Sequence, residues 1–375
     1  MNTSLDRAIW ILICLFGFGG VGTHRLFGYV QDHQEARLQI INGTQQRIEV
    51  FWVKSQDQRV SNGMIEAGEQ TTIQTTLGHK FVVLGQSDEI LGAIESLVSV
   101  QAFRVGGVPE YYVQRIEVDG FPIVASERVS AFALKEAGYI IRGMLKNRPD
   151  VLDAMIKSGS RLCILGWNEF TTDQPEWRWL ANRSNRDFPG VQAKDYFDAR
   201  ARGMGGSQSD PYCSCGEENL LGYPGDPYWQ ENILIHELAH NIHLRGMVNI
   251  DATFDSRVLA AYERAKGIGL WKGKYASVNH HEYFAEGVQS WFDNNRQDDH
   301  DHNHVDTRLE LMEYDPGLAS LCREVFGDTE FRYTKPVERL EGHLEGYRTE
   351  QAPTFTWPKR LKEAQLEIRR QVQNR

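Results

Sequence analysis

The stretch HELAHNIH runs from His236 to His243 and places three histidines and a glutamate within eight residues. His236 and His240 are four residues apart, so on a helix they share one face, one turn apart. Two imidazoles about 6 Å apart can bind one zinc ion, and Glu237 beside them can act on a bound water. The spacing predicts a zinc site, and a buried structural pair of histidines is the alternative.

The segment around these histidines predicts the helix that carries them. Asp226 and Pro227 form a typical helix start, and apolar residues keep to one stripe until Gly246. His243 lies about 10.5 Å from His236 along such a helix, too far for one zinc to bind both. We therefore expect His243 to support or pack near the site, and a third ligand to come from elsewhere.

A second predicted helix offers that ligand in the segment YASVNHHEYFAEGVQSWFDNN. Glu282 and Glu286 are spaced i, i+4, and simple proximity does not separate them. Either carboxylate completes a site of two histidines and one glutamate with water in the fourth position. The other would then accept an N–H from a ligating histidine.

The combined pattern, H-E-x-x-H followed by a tyrosine and, seven residues later, a glutamate, resembles the gluzincin metallopeptidases related to the anthrax lethal factor catalytic domain and the bacterial Pro-Pro endopeptidases. The resemblance covers residues 233–292. It implies a peptidase with one catalytic zinc ion, and it selects between the two carboxylates. Its implied roles are zinc ligation by His236, His240 and Glu282, general base catalysis by Glu237 and oxyanion stabilisation by Tyr275. With Glu282 as ligand, Glu286 one turn further on is the carboxylate expected to support a ligating histidine.

Composition and the first residues limit the cellular context. The 41 basic and 51 acidic residues give a net charge of -10 without a basic stripe, which argues against a nucleic acid partner. Sixteen uncharged residues, Ala8 to Thr23, follow Arg7 and fall short of the 18 or so expected of a spanning helix. We expect residues 1–23 to be a signal peptide cleaved after Gly22, and a secreted or extracytoplasmic protein. The alternative is an uncleaved membrane anchor at residues 8–23, the only membrane contact expected.

Export gives the cysteines a structural interpretation. Cys14 lies in the apolar segment, and the remaining four can form two disulfides in an oxidising compartment: Cys163, Cys213, Cys215 and Cys322. The CSC spacing is too tight for a bridge between Cys213 and Cys215, so each is expected to pair with a distant cysteine, or one to remain free. The connectivity stays open.

Short alternating runs between residues 37 and 86 predict an antiparallel β-module. The stretch from NGTQQRIEVFWV to LGHKFVV resembles the β-domain of von Hippel-Lindau tumour suppressor proteins, which holds a hydroxyproline peptide. That resemblance places Trp52, Thr75, His79 and Phe81 along a peptide pocket, although Phe81 stands where a tryptophan is expected and the pocket tyrosine has no counterpart. The alternative is a packing module whose aromatic residues fill its own core.

Helical spacing returns after residue 125. Ser126 is the expected cap of a first helix, Pro149 starts a second, RLCILGW is a buried strand, and a charged terminal helix ends the chain. The glycine-rich segment 201–230 either shapes a substrate cleft or only turns the chain. His300, His302 and His304, set among aspartates, predict a secondary cation site, with a solvated polar loop as the alternative.

These features predict an α+β protein with a zincin-type metallopeptidase domain at 120–337. A small antiparallel β-sandwich at 37–118, with its core at 37–86, precedes that domain, and a helical extension at 338–375 follows it. The expected function is an exported zinc-dependent endopeptidase that acts on proteins or peptides, with proline-rich ones favoured by the β-module. The alternative is a non-catalytic extracellular binding protein with a structural zinc and a peptide-binding β-module.

Overall fold

The computed structural model describes residues 35–374. The predicted signal peptide or anchor, residues 1–23, lies outside this range. Within it, no helix is both long enough and apolar enough to cross a membrane. The described chain divides into two compact units: a β unit of residues 35–109 with Lys157–Gly159, and a main unit of Glu110–Ile156 and residues 160–374. The secondary structure is mixed, and the α+β class is confirmed.

Seven strands build the β unit: β1 (Glu35–Asn42), β2 (Ile48–Ser55), β3 (Gln58–Ile65), β4 (Gln70–Thr76), β5 (Lys80–Leu84), β6 (Ile90–Glu95) and β7 (Val100–Val105). They form one sheet in the order β4-β1-β7 and another in the order β3-β2-β5-β6. Residues of both sheets share one core, among them Leu38 and Ile40 of β1 and Val50 and Val83 of the other sheet. The unit is therefore a small sandwich. It is not wholly antiparallel as predicted, because β1 and β7 pair in parallel.

The main unit has a sheet of its own, with strands β8 (Gln114–Val118), β9 (Phe121–Ala125), β10 (Arg161–Leu165), β11 (Gly203–Met204) and β12 (Tyr212–Gly216). Their order is β11-β12-β10-β9-β8. The inner pairs β9–β10 and β10–β12 are parallel, and both edge strands are antiparallel. Because β8 pairs with β9, residues 110–118 belong to this unit. The predicted boundary of the β-module at 118 therefore moves to 109.

The described part of the main unit contains ten α-helices, and the last residue of the second, Lys157, groups with the β unit. The helices are α1 (Ala131–Leu145), α2 (Pro149–Lys157), α3 (Ala193–Arg200), α4 (Glu217–Leu221), α5 (Ile233–Asn241), α6 (Phe254–Gly267), α7 (His280–Trp291), α8 (Arg308–Tyr314), α9 (Pro316–Phe326) and α10 (Lys359–Gln373). One large core joins apolar residues of the sheet to those of α1, α5, α6, α7 and α9. The predicted terminal helix is present as α10 and packs against α3. Residues 338–374 are thus part of the main unit.

The start of α1 corrects the predicted cap. Ser130 is the capping residue, and its hydroxyl accepts a hydrogen bond from the backbone N–H of Phe132 at 3.3 Å. Ser126, the predicted cap, instead donates its hydroxyl to Oε1 of Glu169 at 2.7 Å. Serine is a preferred capping residue, so both positions were suitable by residue type. Ser126 binds Glu169, which is distant in the chain, and Ser130 caps the helix instead.

The cysteines correct the disulfide prediction. Cys163, Cys213, Cys215 and Cys322 are all buried free thiols. On the parallel pair β10–β12, Cys163 lies opposite Ser214, while Cys213 and Cys215 lie opposite Leu162 and Ile164. Side chains alternate between the faces of a sheet, so Cys163 points to the opposite face from Cys213 and Cys215. Burial raises the pKa of the Cys163 thiol to about 12, so it stays protonated and unreactive at neutral pH.

Arg202, directly before β11, holds this edge strand in place. It is fully buried, and its guanidinium binds Glu218 through Nε at 2.5 Å and Nη2 at 2.9 Å. The same group donates to the backbone carbonyls of Gly166 and Glu169. The buried guanidinium charge is therefore paired with one carboxylate and two backbone carbonyls inside the core.

We expect Arg202→Met to destabilise the protein by about 3–5 kcal/mol, because Glu218 is left as a buried and unpaired carboxylate. Urea unfolding followed by fluorescence measures the change. The matched control is Arg370→Met, which removes an exposed pair with Glu367 and should leave the unfolding midpoint unchanged. Equal midpoints for the two variants would contradict the buried role of Arg202.

Candidate metal centre

The helix α5 carries the HELAH sequence but begins later than predicted. Asn232 is its cap, and its side-chain oxygen accepts from the N–H of Ile235 at 3.2 Å. Asp226 instead accepts hydrogen bonds from the N–H of Tyr228 and from Asn219, both at 2.9 Å, and so closes a turn ahead of the helix. The predicted start at Asp226–Pro227 is therefore wrong. The predicted end is close, because a π-helical turn, Ile242–Gly246, extends α5 to Gly246.

Three side chains from α5 and α7 converge as the sequence predicts: His236, His240 and Glu282. Nε2 of His236 lies 3.0 Å from Oε2 of Glu282 and 3.3 Å from Nε2 of His240. Oε1 of Glu282 lies 3.5 Å from Nε2 of His240. Ligands of a tetrahedral zinc with bonds of about 2.0–2.1 Å are about 3.3 Å apart, so these separations suit one zinc ion. All three residues are buried.

The hydrogen bonds behind His236 show which of its nitrogens faces the cluster. Nδ1 lies 2.7 Å from Oε1 of Gln289. The amide nitrogen of Gln289 donates to the carboxylate of Glu231 at 2.9 Å, and this fixes the amide orientation because a carboxylate only accepts. Nδ1 of His236 is therefore a donor, and Nε2 is free to offer its lone pair to a cation.

The negative charge of Glu282 beside the two histidines favours a bound cation in the cluster. Burial lowers the pKa of His236, but the hydrogen bond and charge of Glu282 outweigh it and raise that pKa to about 10. The attraction of His240 and His236 likewise holds the pKa of Glu282 well below its usual range despite burial. The cluster thus binds a proton tightly, and a divalent cation in the same place satisfies the same carboxylate.

Glu286 lies behind His236 and does not belong to the three converging ligands. Its Oε1 is 3.5 Å from Nδ1 of His236, and its Oε2 is 3.0 Å from the amide nitrogen of Asn295 and 3.3 Å from Nε2 of His302. This position agrees with the supporting role predicted for the glutamate one turn beyond Glu282. Gln289, which sequence reasoning missed, lies closer to Nδ1 and is the more direct support. Gln289 is seven residues from Glu282 and so lies on the same face of the helix. This spacing was the sequence feature that indicated Gln289 as a residue near the cluster.

A closed ring of polar contacts stands behind His236. It runs from His236 through Gln289, Glu231, Arg296, Asp299, His302 and Glu286 back to His236. Glu286 and Asp299 outweigh burial and raise the pKa of His302 to about 9, so His302 carries a positive charge beside Glu286 at neutral pH. The ring fixes the imidazole from behind.

Glu237 is partly exposed, unlike His236 and His240, and we call the side of the cluster next to Glu237 the open side. Desolvation by the surrounding protein outweighs the attraction of His236 and raises the pKa of Glu237 to about 8. The end of β11 lies against it: a Cβ atom added at Gly203 or at Gly205 would come within 2.9 Å of a Glu237 carboxylate oxygen. The glycine-rich segment therefore lines the site at these two positions.

We expect Gly205→Ala to weaken zinc binding by about 10–100-fold, in the range of changes that disturb the orientation of a ligand. The added Cβ would lie 2.5 Å from Cδ2 of His240, so the imidazole or the strand must move. Competition with a chromophoric chelator measures the affinity. The control is Gly267→Ala, where nothing lies within 4 Å of the added atom. An unchanged affinity in Gly205→Ala would show that this backbone does not hold His240.

Tyr275 and His243 occupy different surroundings. The ring of Tyr275 is buried with its centroid 6.0 Å from that of His236, beside the cluster. His243 is fully buried in the π-helical turn, packs against Phe254 and Phe284, and has Nε2 3.0 Å from Oδ1 of Asp255. It therefore stands apart from the three ligands. Burial lowers the pKa of His243 to about 4 against the opposing effect of Asp255, so it is neutral at pH 7.

The histidines of the 300–304 loop point to different partners. His300 contacts Asp301 at 2.8 Å, His302 binds Glu286 and Asp299, and the ring of His304 packs on Tyr314. Among the groups of residues 35–374 that converge well enough to hold a metal ion, none lies in this loop. The predicted secondary cation site is therefore wrong here. His302 is also buried, so the solvated-loop alternative does not describe it.

The β unit brings together three of the four residues of its predicted pocket. The Trp52 and His79 rings are 4.8 Å apart, and Oγ1 of Thr75 lies 3.0 Å from Nδ1 of His79. All three are partly exposed. Phe81 pairs with Trp52 across β2 and β5 but is buried in the core of the unit, and its predicted role in lining a pocket is not supported.

Comparison with known proteins assigns neither a family nor a function to this chain. The sequence matches no known family model. It also matches no curated protein at a significant level. The interpretation of the site therefore depends on its residues and geometry.

Proposed function

We propose that the protein is an exported zinc-dependent endopeptidase whose main unit is a zincin of the gluzincin type. The convergence of His236, His240 and Glu282, with Glu237 on the open side, carries the proposal. Structural zinc is normally closed by four protein ligands, whereas catalytic zinc keeps a position for water. Three ligands with a carboxylate at the open side fit the catalytic kind.

The donor set tests whether zinc suits these residues. Two imidazole nitrogens and one carboxylate are preferred zinc ligands, and the observed separations fit tetrahedral geometry. Gln289 leaves Nε2 of His236 available, as a ligating histidine requires. The residues therefore fit one catalytic zinc ion.

Each residue then has a defined part in hydrolysis. Zinc, when bound, supplies a Lewis acid that lowers the pKa of water to about 7 and polarises a carbonyl. The charge of a bound zinc ion would lower the pKa of Glu237 from its metal-free value, so that Glu237 could take the proton from the attacking water and pass it to the leaving amine. Tyr275, whose ring lies beside that of His236, would donate a hydrogen bond to the oxygen of the tetrahedral intermediate.

The edge strand β11 indicates how a substrate would lie. Among the described strands, β11 pairs only with β12, so its other edge can pair with an extended peptide. Gly203 and Gly205 place one face of this edge strand next to Glu237. A peptide added to β11 therefore has its backbone close to the general base. The substrate class is a protein or peptide, and the acidic net charge argues against nucleic acid.

Casein cleavage by the purified full chain tests the proposal. Hydrolysis that stops with a metal chelator and returns with zinc supports it. The Glu237→Ala variant serves as the control for a contaminating protease. No cleavage by the zinc-loaded wild type, or equal cleavage by the variant, would refute the peptidase.

The second candidate is a non-catalytic extracellular binding protein that uses the β unit. The cluster of Trp52, Thr75 and His79 favours it, because partly exposed aromatic and polar groups meet there. The two functions combine if this cluster recruits proline-rich or hydroxyproline-containing substrates to the peptidase.

For the combined function, we expect Trp52→Ala with His79→Ala to raise KM for proline-rich proteins about tenfold, a loss of about 1.4 kcal/mol of binding. Short peptides that cannot reach the β unit should be cleaved as before. Steady-state kinetics on both substrate types measure the difference. Met64→Ala, an exposed residue of the same unit, is the control. Equal effects on long and short substrates would indicate structural support only.

A further inference from the structure

Three histidine side chains outside the candidate catalytic site surround one carboxylate oxygen. Oδ1 of Asp255 lies 3.0 Å from Nε2 of His243, 3.1 Å from Nε2 of His280 and 3.5 Å from Nε2 of His281. The rings of His280 and His281 are 4.0 Å apart, and that of His243 is 5.4 Å from His281. Three imidazole nitrogens thus surround a single oxygen.

Hydrogen bonding alone does not explain this arrangement. His243 is fully buried, and neither of its ring nitrogens has a hydrogen bond of acceptable geometry among the described residues. Its Nε2 is nevertheless only 3.0 Å from Asp255. A buried nitrogen without a hydrogen bond is costly, so this close contact needs an explanation beyond the pair of His243 and Asp255.

We propose that Asp255, His280 and His281 form a second metal site, which binds Zn²⁺ or a similar divalent transition metal, and that His243 packs against Asp255 beside it. Asp255 Oδ1 lies 3.1 Å from His280 and 3.5 Å from His281, and one ligand atom from each of the three residues lies within 4.8 Å of the other two. Imidazole and carboxylate are zinc ligands, and three of them leave a position of the coordination shell for water. The proposal does not depend on peptidase activity.

The position of this site gives it a structural task. His243 comes from the π-helical turn after α5, Asp255 from the first turn of α6, and His280 and His281 from the first turn of α7. An ion held by Asp255, His280 and His281 ties α6 to α7 beside Glu282, which directly follows His281. Side-chain exposure of 20% for His280 and 37% for His281 leaves a path for the ion from solvent.

Metal content of the full chain tests the second site. Protein stripped with chelator, reloaded with Zn²⁺ and desalted is analysed by plasma mass spectrometry. We expect about two zinc ions per chain in the wild type, and about one in either His281→Gln or Glu282→Gln. The double variant of these two positions should retain almost none. Asp255→Asn repeats the test with a different ligand.

His300→Gln is the matched control, because this partly exposed histidine belongs to neither site and should leave two ions bound. Circular dichroism confirms that each variant is folded. One ion in the wild type, unchanged in His281→Gln and lost in Glu282→Gln, would overturn the second site and leave the first intact. Anomalous scattering at the zinc edge that places the second ion away from Asp255 would overturn it as well.

Discussion

Glu237→Ala is expected to lower kcat for peptide hydrolysis by about 10²–10⁴-fold while zinc content stays at the wild-type value. The reason is that Glu237 lies on the open side of the cluster and does not belong to the three converging ligands. The variant therefore loses the proton acceptor and keeps the metal. Hydrolysis of a fluorogenic peptide and zinc analysis on the same sample measure the two quantities.

Glu263→Ala, an exposed glutamate on α6, is the matched control and should retain full activity. Loss of zinc in Glu237→Ala would mean that this residue is a ligand and not a base. Unchanged turnover would remove the chemical basis of the proposed peptidase.

The two glutamates of α7 are expected to differ sharply. Glu282→Gln should lose the zinc of the first site during dialysis, because its carboxylate faces both His236 and His240. Glu286→Gln should retain that zinc with an affinity weaker by about 10–100-fold, since it supports His236 from behind and is held by His302 and Asn295. Zinc content after dialysis against a graded series of chelators measures both.

The reverse result would change the assignment. If Glu286→Gln emptied the first site and Glu282→Gln stayed loaded, the spacing from Tyr275 would no longer identify the ligand. The resemblance to the gluzincins would then lose the residue that selects between the two carboxylates.

Local patterns predicted the elements that hold the site. The i, i+4 spacing of His236 and His240, and that of Glu282 and Glu286, predicted two helical faces, and α5 and α7 pack against each other accordingly. The buried strand β10 and the start of α2 at Pro149 were also predicted correctly. These features depend on residues close together in the chain, where periodicity is informative.

Long-range contacts account for what the sequence did not predict. Gln289 and Glu231 are far apart in the chain, as are His243 and His280, so no local spacing indicated that they would meet. Asn232 replaced Asp226 at the start of α5 because Asp226 is held by Asn219 and the Tyr228 N–H. The predicted disulfides failed for a similar reason, since the pairing of β10 with β12 turns Cys163 away from its neighbours. The candidate metal cluster and the supporting position of Glu286 were predictable from local spacing, whereas the contact between Gln289 and Glu231 was not.

Cleavage of a defined peptide library by the full chain, read by mass spectrometry, tests the central claim most directly. Zinc-loaded wild type should cut internal peptide bonds, metal-free protein should cut none until zinc returns, and zinc-loaded Glu237→Ala should cut none at the same concentration. Internal cleavage that continues without metal, or that persists in Glu237→Ala, would contradict the account, as would an intact library after incubation with the zinc-loaded wild type.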